Sequence, residues 1–404
     1  MADLKIPLLE ELEKGPWPSF VSDIKSIADK SEMAADLLRQ LEKSYEDRRG
    51  YWKHGGLVGV MGYGGGVIGR YSALPDEFPG VSHFHTVRVN QTSGWFYTSD
   101  AMREIIDIWE EHGSGLFNMH GSTGDMVLLG TRTEELEPTF KALTEKGWDL
   151  GGSGSDLRTP SNCVGPARCE NACYDTLEMA YKVTQNYQDE LHRPMFNYKY
   201  KIKMSGCPND CTAAIARSDM ALIGIWKDDI KVDQQAFAKY VDDGFNVQEF
   251  VVEKCPTRCI TVEGKEINID NSNCVKCMHC INRMPHALHV GDDKGFAINI
   301  GAKAPIVEGA LFASVIIPFM KLDDYKNDES YEEFYDLLER IWEFWDEHGT
   351  SRERIGEFIE RVGLATFLEG IGVEPSPKQV KAPRDNPYIF YEEYYAEESE
   401  GSEE

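Results

Sequence analysis

Cys163-Val164-Gly165-Pro166-Ala167-Arg168-Cys169, followed after a long gap by Ser205-Gly206-Cys207-Pro208-Asn209-Asp210-Cys211, decides the reading of this chain. The two pairs, C-x5-C and C-x3-C, offer four thiolates to a soft metal centre, either zinc or an iron–sulfur cluster. Zinc ribbons use short C-x2-C knuckles, and neither pair has that spacing. Gly206 and Pro208 suit a tight backbone loop, as a cluster pressed against the main chain requires. Four buried cysteines without a ligand are the bland alternative.

A second cysteine group follows. Cys255-Pro256 precedes Cys274-Val275-Lys276-Cys277-Met278-His279-Cys280. A C-x2-C-x2-C run with a remote Cys-Pro is bacterial-ferredoxin geometry. The usual fourth cysteine of the run is absent, since Met284 stands before Pro285. One 4Fe–4S cluster is therefore expected on Cys255, Cys274, Cys277 and Cys280. Zinc is the alternative, but this run sets three ligands too close for two knuckles. Cys173 and Cys259 are left over and read as packing residues.

The chain has 404 residues, 41% hydrophobic and 27% charged, with a formal net charge of −27. That length allows two or three domains with cores of their own. The negative charge excludes a binder of nucleic-acid backbones, which needs a basic footprint. No run is long enough for a membrane span, and no basic-then-apolar leader opens the chain, so a cytoplasmic protein without membrane insertion is expected. Ten cysteines in such a protein point to metal or redox chemistry and not to disulfides.

Residues 1 to about 50 carry apolar positions at helical spacing (Leu37, Leu38 and Leu41 among them) and are expected to form a helical packing arm or subunit contact. Eight glycines then crowd the stretch from Gly55 to Gly69, which ends in Arg70. They let backbone approach a large flat ligand closely, with a flexible loop as the alternative. His83 to Val89 alternates as a half-buried strand. Asn118-Met119-His120-Gly121-Ser122-Thr123-Gly124-Asp125 has the composition of an anion-binding turn. The alternation of strands and helices predicts an α+β architecture. Glu170 to His192 reads as one long helix, and Tyr198 to Met204 as a strand running into the second cysteine loop. On that strand Lys199, Lys201 and Lys203 share a face, which favours a bound anion. The glutamate-rich end, Glu392 to Glu404, has the composition of a mobile tail.

In its C-x5-C and C-x3-C pairs and its SGCPNDC loop, the chain resembles the sirohaem-dependent sulfite and nitrite reductases. The resemblance implies mixed sheets flanked by helices, with an inserted 4Fe–4S ferredoxin domain. It implies one 4Fe–4S cluster on Cys163, Cys169, Cys207 and Cys211, with Cys211 bridging to the sirohaem iron. The second cluster gives two per chain. Arg88, Arg158, Lys199 and Lys201, with Lys203 as a third lysine, match the cations that ring the substrate face in the family. Arg70, His120, Ser122 and Thr123 become candidates for holding the macrocycle's carboxylates. Domains are expected at 1–160 (helical arm and α+β substrate and sirohaem domain) and 161–239 (first part of the sirohaem and 4Fe–4S domain). The ferredoxin-like insert is expected at 240–302, and the second part of the cluster domain with the acidic tail at 303–404.

The ferredoxin insert, the opening Leu12-Glu13-Lys14-Gly15-Pro16-Trp17-Pro18-Ser19 and the His120 turn resemble the dissimilatory branch of that family. This branch implies six-electron reduction of sulfite towards sulfide. It also implies an α2β2 heterotetramer with a paralogous beta subunit, an electron donor and a small sulfur-carrier protein. Two other functions share the signature: a sirohaem nitrite reductase, and a partner subunit that binds cofactors without turning over substrate.

Overall fold

The computed structural model describes residues 4–15, 20–91, 94–120, 123–193, 195–304 and 309–375, the side chains of residues 56 and 57 excepted. Ser122 and the acidic tail lie outside them. The chain divides into two units, Met1–Thr159 with Thr184–Lys199, and Pro160–Val183 with Tyr200–Glu404.

The first unit opens with α1 (Pro7–Glu13), α2 (Phe20–Ala28) and α3 (Glu32–Asp47). Ser31 caps α3, its hydroxyl accepting from the Ala34 N–H at 3.3 Å. The buried stripe of Leu9, Val21, Ile24, Leu37 and Leu38 packs with Phe78, Val81 and Phe84. The glycine-rich stretch does not form the loop named as the alternative. It is an antiparallel hairpin, β1 (Trp52–Val60) and β2 (Tyr63–Ser72). Its glycines permit close packing of other groups. A Cβ on Gly65 would lie 2.5 Å from the Asp156 carboxylate and 3.2 Å from the Leu191 carbonyl.

β3 (His85–Val89), α4 (Ser99–His112), β4 (Leu116–His120), β5 (Asp125–Thr131) and α5 (Leu136–Glu145) follow. The five strands form an antiparallel sheet in the order β1-β2-β3-β5-β4. Val87, Val89, Met126 and Leu128 on this sheet bury against Ile105, Ile108, Trp109 and Leu143 of α4 and α5. Thr98 caps α4, its hydroxyl accepting from the Ala101 N–H at 3.1 Å.

The second unit starts at β6 (Ser161–Asn162). The long helix expected from Glu170 to His192 is two, α6 (Thr176–Asn186) and α7 (Gln188–His192), broken at Tyr187. The division between units falls within α6, and α7 belongs to the first unit. β7 (Ile202–Ser205) is shorter than expected and leaves Lys199 and Lys201 outside the strand. α8 (Ala214–Arg217) and β8 (Met220–Trp226) follow.

The ferredoxin-like part then runs through β9 (Lys231–Val232), α9 (Gln234–Asp242), β10 (Ile260–Glu263), β11 (Glu266–Ile269), α10 (His279–Arg283) and β12 (Leu288–His289). Its core joins Phe237, Val251, Ile267, Ile281 and Leu288 to Trp226. β13 (Lys294–Ile300) and β14 (Ser314–Met320) complete a mixed sheet, β14-β13-β8-β7-β6, parallel at β6-β7-β8 and antiparallel beyond. α11 (Glu332–His348), α12 (Ile355–Val362) and α13 (Leu364–Gly370) end the described chain. The architecture is α+β, with mixed sheets and flanking helices.

Candidate active site

The first cysteine site grows out of the parallel edge of the second unit's sheet. β6 leads into Cys163, whose N–H donates to the Met204 carbonyl at 3.0 Å. β7 ends at Ser205, and the Gly206 N–H donates to Cys163 Sγ at 3.1 Å. Asp210 takes a left-handed backbone, φ 46°. Its carboxylate accepts from Ser205 Oγ at 2.7 Å and from the N–H groups of Ala214 and Ile215 at 2.8 and 3.0 Å. One side chain thus fixes the loop and the start of α8. A Cβ on Gly224 would sit 2.0 Å from the Gly206 carbonyl, so the loop lies directly on β8.

Cys163, Cys169, Cys207 and Cys211 converge here. Burial pushes the Cys207 thiol up to about 11, and Cys169, Cys211 and Cys163 push it further in the same direction. Burial also raises Cys211, with Cys163, Cys169 and Asp210 acting alongside. Four thiolates so placed repel one another unless cationic metal lies between them. The donor set therefore fits an iron–sulfur cluster. Among the described residues, no three His, Cys, Asp or Glu side chains close on a single ion. Cys173 is buried behind the loop, its N–H donating to the Gly206 carbonyl at 2.7 Å.

The second site is a pocket lined by Cys255, Cys274, Cys277 and Cys280 with Ile230, Val251 and Ile269. Burial pushes Cys280 up to about 12, with Cys274 adding to it. The short loop that wraps the cavity is held in unfavourable backbone. Lys276 and Met278 take left-handed φ of 54° and 68°, as does Arg258 at 53°. The Lys276 ammonium anchors the loop on the carbonyls of Trp226, Lys227 (3.1 Å) and Asp228 (3.4 Å). Cys259, expected as packing, lines the same cavity with its sulfur 3.5 Å from that of Cys255.

The first unit gathers the expected arginines. Arg88 on β3 donates through one NH group to the Asp125 carboxylate at 2.7 Å and to Thr123 Oγ1 at 3.0 Å. His120 Nδ1 lies 2.7 Å from the same hydroxyl, which donates to Asp125 at 2.5 Å. Arg158 pairs with the Asp156 carboxylate and donates to the Gly154 carbonyl at 2.8 Å. Both arginines are buried. Burial lowers the Arg70 pKa, and the neighbouring Arg88 lowers it further. Burial pushes Asp156 up to about 7 against the pull of Arg158. Asp125 is likewise raised by burial, against Arg88. The buried Arg88 Nε donor has no partner among the described residues, so this cation cluster retains capacity for an anion.

The lysines are less uniform than a shared strand face requires. Lys199 belongs to the first unit, its ammonium 4.9 Å from the Tyr198 ring centroid. Lys201 and Lys203 belong to the second. The Lys201 N–H donates to Asp219 at 2.9 Å, and Asp219 also holds Arg354 through both carboxylate oxygens at 2.8 and 2.7 Å. Lys203 is only 2% exposed, and burial pushes its pKa down to about 8, with Asp210 opposing. Every residue of β7 is buried, so both its faces are covered. Sequence reasoning missed Asp125, Asp156, Asp210 and Asp219 as the groups that set these cations and loops. Their signal was weak: Asp156 stands two residues before an arginine, Asp125 and Asp219 stand at or just before the start of a strand, and Asp210 lies inside a cysteine loop.

Two cysteine sites and a buried cation cluster on α+β half-domains define a class of redox enzyme. The Nitrite/Sulfite reductase ferredoxin-like half domain matches residues 79–146, and the Nitrite and sulphite reductase 4Fe-4S domain matches residues 153–379. The chain belongs to this nitrite and sulfite reductase family, in its dissimilatory sulfite reductase alpha branch. It is 50% identical to the dissimilatory-type sulfite reductase alpha subunit of Nitratidesulfovibrio vulgaris, over 97% of this chain and 95% of that one. It superimposes on the crystal structure of dissimilatory sulfite reductase I with a TM-score of 0.88 at 50% identity, covering 97% of this chain and 95% of that one. A beta subunit of the same enzyme type, from Archaeoglobus fulgidus, is 24% identical over 89% of this chain and 94% of its own length. No helix among the described residues is long and apolar enough to cross a membrane.

Proposed function

We propose that this chain is the alpha subunit of a dissimilatory sulfite reductase, reducing sulfite towards sulfide by six electrons with sirohaem and two 4Fe–4S clusters. The observation that carries the reading is the convergence of Cys163, Cys169, Cys207 and Cys211 on the Gly206 loop. These four hold one cluster, with Cys211 as the bridge to sirohaem, and Cys255, Cys274, Cys277 and Cys280 hold the other. Residues 240–302 act as the insert that receives electrons. Bound sirohaem and clusters supply the electron transfers.

The chain's own side chains bind the oxyanion and manage protons. Arg88 and Arg158 offer planar donors to sulfite oxygens. Lys199, Lys201 and Lys203 supply positive charge and protons as each oxygen leaves as water. A lysine with its pKa near 8, as at Lys203, gives up a proton near neutral pH far more readily than an ordinary one. Arg70 and His120, with Ser122, hold macrocycle carboxylates. Thr123 already serves Arg88 and Asp125, so it acts through them. The working assembly is a cytoplasmic α2β2 heterotetramer with a paralogous beta subunit, supplied by an electron donor and a small sulfur-carrier protein.

One observation favours a second reading. Arg88 and Arg158 each already pair with a buried aspartate, as befits a subunit that binds cofactors but stays silent. Lys201→Met separates the two. In an active subunit it slows sulfite reduction by about two to three orders of magnitude with normal cofactor loading. An unchanged rate with full sirohaem establishes the silent subunit. Absorption spectra and iron analysis of the purified complex test the cofactor set itself; a preparation without sirohaem overturns the function.

A further inference from the structure

Two asparagines that none of these roles uses join the two cysteine sites. Asn209 lies between Cys207 and Cys211, and Asn282 comes two residues after Cys280. Each side-chain amide donates to the other's carbonyl: Asn209 Nδ2 to Asn282 Oδ1 at 3.1 Å, and Asn282 Nδ2 to Asn209 Oδ1 at 2.6 Å. Both stand on fixed frames. Asn209 sits between Pro208, whose ring locks φ, and Asp210, which is anchored through its carboxylate. Asn282 is on α10, its N–H donating to the Met278 carbonyl at 2.9 Å.

The connection extends to sulfur at both ends. Both ends reach sulfur through the backbone, since Cys207 lies two residues before Asn209 and Cys280 two residues before Asn282. A run of covalent and hydrogen bonds thus leads from the Cys280 sulfur through Ile281 and Asn282, across the amide pair, and through Asn209 to the Cys207 sulfur. Both asparagines are exposed. An exposed hydrogen bond adds little to folding, so stability alone does not account for a doubly bonded pair at this place.

We propose that the Asn209–Asn282 amide pair is the electron-transfer junction between the two clusters. The proposal rests on the reading that each cysteine set holds one 4Fe–4S cluster. One electron leaves the cluster on Cys255, Cys274, Cys277 and Cys280, which is oxidised, and arrives at the cluster on Cys163, Cys169, Cys207 and Cys211, which is reduced. No bond is made or broken, and no proton moves. Paired amides polarise one another and hold the two loops at a fixed separation.

The test mixes the holoenzyme complex with dithionite and follows each cluster by freeze-quench EPR. Asn282→Leu and Asn209→Ala are expected to slow transfer between the clusters roughly tenfold, as loss of a positioning contact does. Iron content and both midpoint potentials stay at wild-type values. Asn282→Asp keeps an acceptor for Asn209 Nδ2 and recovers part of the rate. Wild-type transfer in both Asn282→Leu and Asn209→Ala overturns the junction. Iron content and two distinct cluster signals in the wild-type protein check the cluster assignment separately, before any rate is compared.

Discussion

Lys203 combines a buried position with a basic group, and the two have opposite consequences. Its folded pKa of about 8 lies below the ordinary 10.5, so folding favours the neutral amine. Stability from this group is fully present above pH 10.5 and is lost as pH falls through about 8. Lys203→Met is therefore expected to raise the unfolding midpoint at pH 7 and to lose that advantage above pH 10.5. The same change should slow sulfite reduction by about two to four orders of magnitude if the lysine supplies a proton. Denaturant melts across pH, set beside turnover, check both; a variant less stable at neutral pH contradicts the burial argument. Asp156 behaves in the opposite sense. Its pKa is raised from 3.8 to about 7, so the stability it contributes is present at low pH and is lost as pH rises through about 7.

Among the elements, β7 shows how far a pattern can be read. Alternation correctly marked a strand before the cysteine loop, but it implied one polar face. A central strand in a parallel patch is covered on both sides, so Lys203 is buried with Ile202 and Met204. What fixes the approach to that strand is remote in sequence: Asp219 receives the Lys201 N–H and both donors of Arg354. Asp219→Ala removes both carboxylate contacts from the buried Arg354 guanidinium, with an expected cost of about 3–5 kcal/mol, measurable by denaturant unfolding. A loss below about 1 kcal/mol means that the charge finds water. Other elements follow the same division. The apolar stripe of α3 was legible, because helical periodicity survives in any context. The hairpin of β1 and β2 was obscured by glycines, whose role is to admit Asp156 and Tyr71 against the strand. The break at Tyr187 carries neither proline nor glycine, so nothing local announced it.

For the whole molecule, cysteine spacing revealed the two groups of cysteines that the fold gathers, because cluster geometry restricts which spacings work. The aspartates that hold the arginines stayed hidden, because their partners are set by the fold. The two cysteine sets draw on separate loops, so each should load its cluster independently of the other. Cys255→Ser should remove about one cluster's iron while sirohaem absorption survives. Loss of sirohaem together with that cluster contradicts the separation. Under the proposed function, Cys163, Cys169, Cys207 and Cys211 hold a cluster coupled to sirohaem through Cys211. EPR of the purified Cys211→Ser complex tests this most directly. The magnetic coupling between sirohaem and cluster should vanish while the signal of the Cys255 cluster is unchanged. Coupling that persists in Cys211→Ser but disappears in Cys207→Ser would contradict the assignment and move the bridge to Cys207.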